Sequence, residues 1–435
     1  MLILSLALLS FLGLFCLNGN KLLNFFILFS LCFTICSLVL VNFSSFRYSF
    51  SSFQRDLLSL SLLFITGLLL IIAPITQNFL PSRSKSLYLR LFALGLFSFL
   101  IFSTTNFLFL YISYEASLLP IIYCIFKWGV YPERTLRALM ILLFTSFFTF
   151  PLIIILLLAS PLRFSIIPCL SSFFLRFGAR LWLILSFAVK LPVFGLHYWL
   201  PIAHVEAPTF GSIILAGVLL KIGGCGLIRL SSLFYYQLQT ISQVFSVFLI
   251  FGVILSATLC CIQSDFKRLV AYSSVSHITL IFLLIVTPTP ISFFSLILLI
   301  VFHGISSPML FFGVGQIRTI LSTREITLFR GISSINPLLV TFLLVTFLLV
   351  IPVPPFPAFL AELLVFFRML ETSYFIPLMI FIALLLGLVY SLFWFSSIQG
   401  KITSRQCSRS IPISQYFTPF SLSIRAFLVL PLLLL

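Results

Sequence analysis

The chain has 435 residues, of which 61% are hydrophobic and only 8% are charged. So few charged side chains could not cover the surface of a soluble protein of this length, so the composition predicts an all-α polytopic membrane protein. A β-barrel is excluded, since its strands would alternate apolar and polar residues and these runs do not. The net charge of +17 does not indicate nucleic-acid binding, because the basic residues lie in short loops between apolar runs, where membrane topology requires them.

Apolar runs of about 20 residues, the length that crosses a bilayer as a helix, recur along the chain. They predict about fourteen spanning segments. The approximate extents of these segments are 2–17, 22–42, 57–76, 87–103, 106–126, 136–159, 181–200, 209–230, 241–262, 268–287, 291–314, 337–356 continuing brokenly to 370, 375–397 and 417–435.

The spacing of these runs leaves no room for a soluble domain of useful size. We therefore predict a single transmembrane domain over residues 1–435, with N-terminal helices in 1–80, a first half in 87–230, a second half in 241–397 and a C-terminal helix in 417–435. The first run lacks the basic start of a signal peptide and the Arg/Ser-rich pattern of a presequence. We interpret it as a spanning helix and expect the chain to be inserted where it is synthesised.

Two spanning segments combine a charge with proline interruptions. Lys190 lies in the apolar run 181–196, and Pro192 removes a backbone N–H two residues later. In the second half, prolines at 352, 354, 355 and 357 precede Glu362. Paired interrupted helices in two halves of a chain are typical of transporters with inverted repeats, whose binding sites lie at the interruptions.

Six ionisable residues lie inside apolar runs on successive segments. They are Glu115, Lys190, Lys221, His277, His303 and Glu362. A charge at a helix centre costs roughly 2.5–3.5 kcal/mol in a membrane, and buried ion pairs are weak stabilisers because desolvation cancels most of their attraction. A proton path therefore explains the row better than structural salt bridges do. Burial disfavours the charged form of a lysine, and a nearby carboxylate stabilises that form again. Histidines titrate near neutral pH and can pass protons onward.

Other potential ligands give weaker signals. His197 and His204 are candidates for a supporting role, and their spacing is not a helical metal-ligand spacing. We therefore expect a structural role for them near an interfacial tryptophan, Trp199. Asp265 and Lys267 are further supporting candidates. The nine cysteines show no metal spacing and no C-x-x-C, which predicts packing residues rather than an iron–sulfur centre.

Four stretches of the sequence carry a resemblance to a known family. They are residues 114–120 with 127–134, 189–208, 215–224 and 264–277. Together they resemble the chain 4 family of antiporter-like subunits of respiratory complex I, NADH–ubiquinone oxidoreductase. The stretch 264–277 resembles the antiporter-like subunits as a group, and His-Val-Glu-Ala-Pro at 204–208 points to the chain 4 branch. The resemblance covers residues 87–400.

The resemblance implies a fourteen-helix fold with two inverted five-helix repeats, discontinuous helices near Lys190 and Glu362, and a central polar axis. It implies that Glu115 is the glutamate of the fifth helix and the partner of Lys190. Lys190 looks like the central lysine of the broken seventh helix, and Lys221 looks like the lysine of the eighth.

Three more residues resemble members of the family's axis. His277 and His303 look like its axial histidines, and Glu362 looks like the exit glutamate of its broken twelfth helix. The sequence departs from the family before this glutamate, because a proline-rich stretch at 352–357 replaces the usual glycine-rich one. The alignment of Glu362 therefore rests on its position and on the apolar run that follows.

The implied function is proton translocation by a membrane-arm subunit of NADH:ubiquinone oxidoreductase. The resemblance further implies a multi-pass, organelle-encoded protein of the mitochondrial inner membrane. Its partners would be other membrane-arm subunits of complex I, especially neighbouring antiporter-like chains, and lipids such as cardiolipin. NADH, FMN, iron–sulfur clusters and ubiquinone would bind to other subunits, with no cofactor or metal in this chain. Two alternatives stay open: a stand-alone cation/proton antiporter, and a non-pumping structural subunit of the membrane arm.

Overall fold

The described part of the chain is almost entirely helical. The structure, a computed structural model, describes residues 57–75, 85–104, 107–129, 131–159, 177–321, 323–326, 332–351, 353–354, 356–372 and 374–399. No described residue lies in a β-strand, and an isolated bridge pairs Asp265 with Glu325. The described residues contain eight helical spans that are long and apolar enough to cross a membrane. The predicted segments 2–17, 22–42 and 417–435 lie outside the described residues.

The described residues contain fifteen α-helices. They are α1 (Leu57–Ile75), α2 (Lys85–Ser103), α3 (Phe107–Ala116), α4 (Leu118–Trp128), α5 (Arg134–Ala159), α6 (Phe177–Lys190), α7 (Trp199–Glu206), α8 (Thr209–Ile214), α9 (Leu220–Ile262), α10 (Phe266–Val286), α11 (Pro290–Leu321), α12 (Ile332–Ile335), α13 (Pro337–Val350), α14 (Pro357–Leu370) and α15 (Phe375–Gln399). A π-helical turn, Leu215–Leu219, joins α8 to α9.

The described residues form two compact units, one made of 57–187 and 206–225 and the other of 188–205 and 226–399. In the first unit, α1 packs on α2 and α8, and α4 packs on α5. In the second unit, α11 packs on α10, α13 and α14. The apolar window of α11 is fully buried, which suits a helix that is hydrophobic on every face. Helix α15 instead keeps a largely exposed apolar face, as a lipid-facing helix does.

The predicted interruption beside Lys190 is confirmed. Helix α6 ends at Lys190, and residues 191–198 are irregular. The indole Nε1 of Trp199 donates to the carbonyl of Val189 at 2.8 Å, so the side chain that starts α7 satisfies an acceptor that the broken helix leaves open. Gly195 has φ of +100°, a conformation that favours glycine.

A glycine also allows this irregular segment to lie close to α9. A Cβ built on Gly252 would lie 2.6 Å from Phe194 Cβ, so only glycine permits the approach. Both residues belong to the second unit. Packing against α9 thus holds the irregular backbone in place, as non-helical backbone within a membrane requires.

The second predicted interruption is also confirmed. Helix α13 ends at Val350, α14 begins at Pro357, and the described residues between them, 351, 353–354 and 356, are not helical. Proline suits the first position of α14, where the backbone N–H has no helical acceptor. The cap residue Ile351 has an extended backbone, and its N–H donates to Phe347 O at 2.9 Å.

Two segments differ from the predicted pattern. The run 106–126 divides at Ser117 into α3 and α4, because Pro120 has no N–H to donate to the carbonyl of Ala116. The predicted runs 209–230 and 241–262 are joined by one continuous helix, the 43-residue α9. The expected loop between them is therefore wrong. Two separate candidate spans nevertheless remain at Thr209–Arg229 and Phe245–Ile262.

Candidate functional site

Three of the predicted residues meet in the second unit. His277 of α10 places Nδ1 3.1 Å from Oε1 of Glu362 in α14. The ring centroid of His277 is 5.7 Å from that of His303 in α11. Two imidazoles and one carboxylate, which are side chains that can accept and donate protons, thus lie close together.

A cavity lies between these three side chains. His277, His303 and Glu362 line it together with Ser306 and residues of α13 and α14. Its position beside the gap between α13 and α14 follows from the broken helix, which leaves space and polar backbone that a continuous helix would fill. Glu362 is only 2% exposed, so the carboxylate depends on the cavity and on His277 for polar contact. Such a site can hold a proton and pass it between its members.

Lys190 occupies the C-terminal residue of α6 and is 2% exposed. The last turn of a helix carries unsatisfied carbonyls and a partial negative charge, which stabilise a cation there. The interruption of the helix at this lysine therefore supplies part of the electrostatic support that a buried ammonium needs. The predicted pairing of Lys190 with Glu115 stays a prediction.

Lys221 lies two residues after the end of the π-helical turn in the first unit. Its Nζ donates to the carbonyl of Ala216 at 2.6 Å, inside that turn. A π-helical turn widens the helix by one residue and is frequent at functional sites. The lysine is buried, and the Ala216 carbonyl supplies one acceptor to its ammonium.

Glu115 lies one residue before the end of α3 and is partly exposed. Its neighbour Tyr114 is fully buried and donates its hydroxyl proton to Ser186 O in α6 at 2.9 Å. The Tyr114 ring also packs on Phe187, with centroids 4.9 Å apart. These contacts fix the end of α3 against α6, so the backbone of Glu115 has a defined position.

The two supporting histidines lie in packed environments. His197 Nδ1 accepts from Gly195 N at 3.1 Å, and its ring stacks with Phe194 and Tyr198. His204 is fully buried and stacks on Phe311 with ring centroids 4.1 Å apart. Among the residues that the structure describes, no three His, Cys, Asp or Glu side chains come together as a metal site would require.

Asp265 and Lys267 flank the start of α10. Asp265 lies before the first helical residue and its carboxylate contacts Arg268 at 3.5 Å. Lys267 is fully buried. Asp265 thus forms a local ion pair at the start of α10. Neither Asp265 nor Lys267 lines the cavity between His277, His303 and Glu362.

An ion pair at the start of α5 was not predicted. Arg137 donates to Glu206 Oε1 at 2.5 Å, and it also pairs with Glu133. Glu206 is fully buried, whereas Glu133 is 62% exposed. Glu206 is the last residue of α7, so the pair anchors the segment that leads through α8 to Lys221. A buried charge needs a partner, but nothing in the sequence shows which of the many arginines supplies it.

Comparison with known proteins identifies the family. The sequence pattern of the family described as "NADH:quinone oxidoreductase/Mrp antiporter, TM" matches residues 104–407. The chain belongs to this family. NADH-ubiquinone oxidoreductase chain 4 of Scyliorhinus canicula is 34% identical over 364 residues, covering 80% of this chain and 79% of the relative. Chain 4 of Gadus morhua is 34% identical over 332 residues, covering 74% and 72%.

Solved structures show the same fold. A chain of respiratory complex I from Thermus thermophilus with bound NADH is 21% identical, with a TM-score of 0.84 over 99% of this chain and 95% of that one. A chain of the membrane-bound sulfane sulfur reductase, an archaeal respiratory membrane complex, is 16% identical with a TM-score of 0.86. The antiporter-like membrane fold is therefore confirmed for this member of the NADH:quinone oxidoreductase/Mrp antiporter family.

Proposed function

We propose that this chain is a proton-translocating membrane-arm subunit of NADH:ubiquinone oxidoreductase. Electron transfer takes place in other subunits, and this chain uses the released energy to move protons across the membrane. The observation that carries the proposal is the contact between His277 and Glu362 beside His303, around one buried cavity. A structural salt bridge would not need two histidines or space for water.

The remaining members of the row supply the path to this cluster. Loss of the Glu115–Lys190 interaction drives the buried lysine to release its proton, because burial disfavours the charged form once its partner is lost. Lys221 takes up the proton, and its contact with the Ala216 carbonyl stabilises the charged form. The proton then passes to the histidines and leaves through Glu362.

The proposal includes the finer architecture and location implied by the family. The full chain has fourteen spanning helices, with inverted five-helix repeats over 87–230 and 241–397, in the mitochondrial inner membrane. It is encoded and inserted within the organelle. No redox centre belongs to this chain, since NADH, FMN, iron–sulfur clusters and ubiquinone bind elsewhere in the complex. Relatives named as chain 4 subunits support neighbouring antiporter-like chains as its partners.

An anionic lipid such as cardiolipin binds, in this proposal, at one end of α2 and α4. Arg90 lies 3.2 Å from the centroid of the Tyr123 ring. Lys127 Nζ donates to Ser86 Oγ at 3.1 Å and lies 5.1 Å from the Trp128 ring. Basic side chains beside aromatic ones are typical of the membrane interface, where they contact lipid headgroups.

Replacing Lys190 tests the function. Lys190→Ala in the assembled complex is expected to lower proton pumping on the order of tenfold or more, as loss of a proton-transfer group does, and to lower NADH:ubiquinone reductase activity by a smaller factor. Lys190→Arg keeps a charge that does not deprotonate, so it should impair pumping as well. Glu133→Gln, at an exposed carboxylate, is the control and should retain parental activity.

A stand-alone cation/proton antiporter would use the same residues without redox partners. Native electrophoresis after mild detergent extraction separates this alternative from the proposal. Migration with the other subunits of the oxidoreductase supports a membrane-arm subunit. Migration of the chain in a small assembly without them would support the antiporter.

A non-pumping structural subunit is the other alternative. It predicts that Glu115→Gln and Lys190→Ala affect only the amount of assembled complex and leave turnover per complex intact. The proposal predicts the reverse, with normal assembly and reduced turnover. Turnover is therefore measured against the quantity of assembled complex on the same native gel.

A further inference from the structure

A second cavity touches His277 from another side. It lies in the second unit between α9, α10, the end of α13 and α15. Its lining is mostly apolar, with polar groups from Ser276, His277 and Tyr390. The space is large enough for a water molecule, and these groups provide the polar partners that a buried water needs.

His277 and Val350 separate the two cavities, because they line both of them. The His277 side chain is 12% exposed although α10 is otherwise almost fully buried. Its Nδ1 faces Glu362 on the side of the first cavity. An imidazole has two nitrogens that can each take up or give a proton, so Nε2 is the atom left for exchange with a group other than Glu362.

Tyr390 extends the polar lining beyond the histidine. The tyrosine is buried in the second unit and lines the cavity together with Ser276 and His277. Ser276 directly precedes His277 on α10, and its hydroxyl donates to the carbonyl of Ser273 at 2.7 Å. Hydroxyl groups from α15 and α10 thus lie around the cavity that His277 lines.

We propose that this second cavity is a side branch of the proton path, in which a water held by Tyr390 exchanges protons with His277. The water gives a proton to Nε2, and the imidazolium gives its Nδ1 proton to the Glu362 carboxylate. The imidazole is then neutral with its proton on Nε2, and the water recovers a proton from the aqueous side. His277 is therefore a junction where a route from the α9–α15 side joins the axis. The inference rests on the proposed function.

Two substitutions in α15 test the branch by different means. A Cβ at Gly387 would meet only Tyr390 Cε1, at 4.0 Å, so Gly387→Val places a side chain in the cavity. Tyr390→Phe keeps the ring and removes the hydroxyl. Val389→Leu adds bulk on the exposed face of the same helix and is the matched control. The initial rate of proton translocation is measured in sealed vesicles containing the intact complex, and it is divided by the rate of NADH oxidation in the same sample.

Both test variants should lower this rate on the order of tenfold, since the branch loses a proton-transfer step, and Val389→Leu should not lower it. Parental rates in Gly387→Val and Tyr390→Phe would overturn the branch. If Gly387→Val fails to assemble, the nearly isosteric Tyr390→Phe decides alone. Lys190→Ala is measured alongside: a parental rate there contradicts the proposed function itself, whereas a reduced rate with parental α15 variants removes only the branch.

Discussion

Three buried charged residues of the described part of the chain lie at or shortly after a departure of the backbone from a regular helix. Lys190 ends α6, Lys221 follows a π-helical turn, and Glu362 follows the gap between α13 and α14. The irregular backbone provides carbonyl groups or space for water, both of which reduce the cost of burying a charge. Glu206 shows the other solution, since a guanidinium reaches the buried carboxylate directly.

The Arg137–Glu206 pair leads to a prediction about stability. Arg137→Ala removes the guanidinium from a buried carboxylate, which typically destabilises a protein by about 3–5 kcal/mol. The complex should therefore lose its native-gel band at a lower temperature, and less of it should assemble. Glu133→Gln removes only the exposed partner of the same arginine and should change stability by no more than about 0.5 kcal/mol. Equal thermal profiles for the two variants would contradict a supporting role for the buried pair.

At the scale of helices, the interrupted elements depend on specific contacts that replace the lost backbone bonds. Trp199 donates to the Val189 carbonyl at the end of α6, and Gly252 admits Phe194 against α9. The prolines made both interruptions predictable from the sequence, because proline removes a donor wherever it occurs. The tryptophan contact was not predictable, because it depends on how residues 191–198 fold back.

Trp199→Phe tests the importance of that contact for the broken helix. The change keeps an aromatic ring and removes the indole donor, so an unsatisfied buried carbonyl should cost about 1–3 kcal/mol. We expect lower thermal stability of the complex and lower turnover, since Lys190 adjoins Val189. Trp182→Phe makes the same change at an exposed tryptophan of α6. Equal effects of the two substitutions would show that the donor does not support the interruption.

Helix α9 shows where the sequence pattern misleads. We expected a loop between the runs 209–230 and 241–262, because the intervening residues are more polar. No Gly or Pro occurs between Gly226 and Gly252, however, so nothing in that stretch ends a helix. The hydropathy pattern located the two candidate spans, and the absence of helix-breaking residues explains why a continuous helix joins them.

For the whole molecule, apolar composition and run length were enough to predict a helical membrane protein, and residue motifs were enough to predict the family. The approach of His277 to Glu362 could be expected only through the family resemblance, because 85 positions of sequence separate two residues that share a cavity. The second cavity at His277 had no sequence signal at all. Small residues such as Gly387 leave it open, and a glycine in an apolar helix has many other uses.

The proton-to-electron ratio of the Lys190→Ala complex tests the central claim most directly. Sealed vesicles containing the parental or variant complex are given NADH, and protons translocated and electrons delivered to quinone are counted in the same sample. Because this chain moves protons through Lys190 in our account, the variant should translocate fewer protons for each electron than the parental complex does. An unchanged ratio at reduced or normal turnover would contradict proton transfer through this subunit.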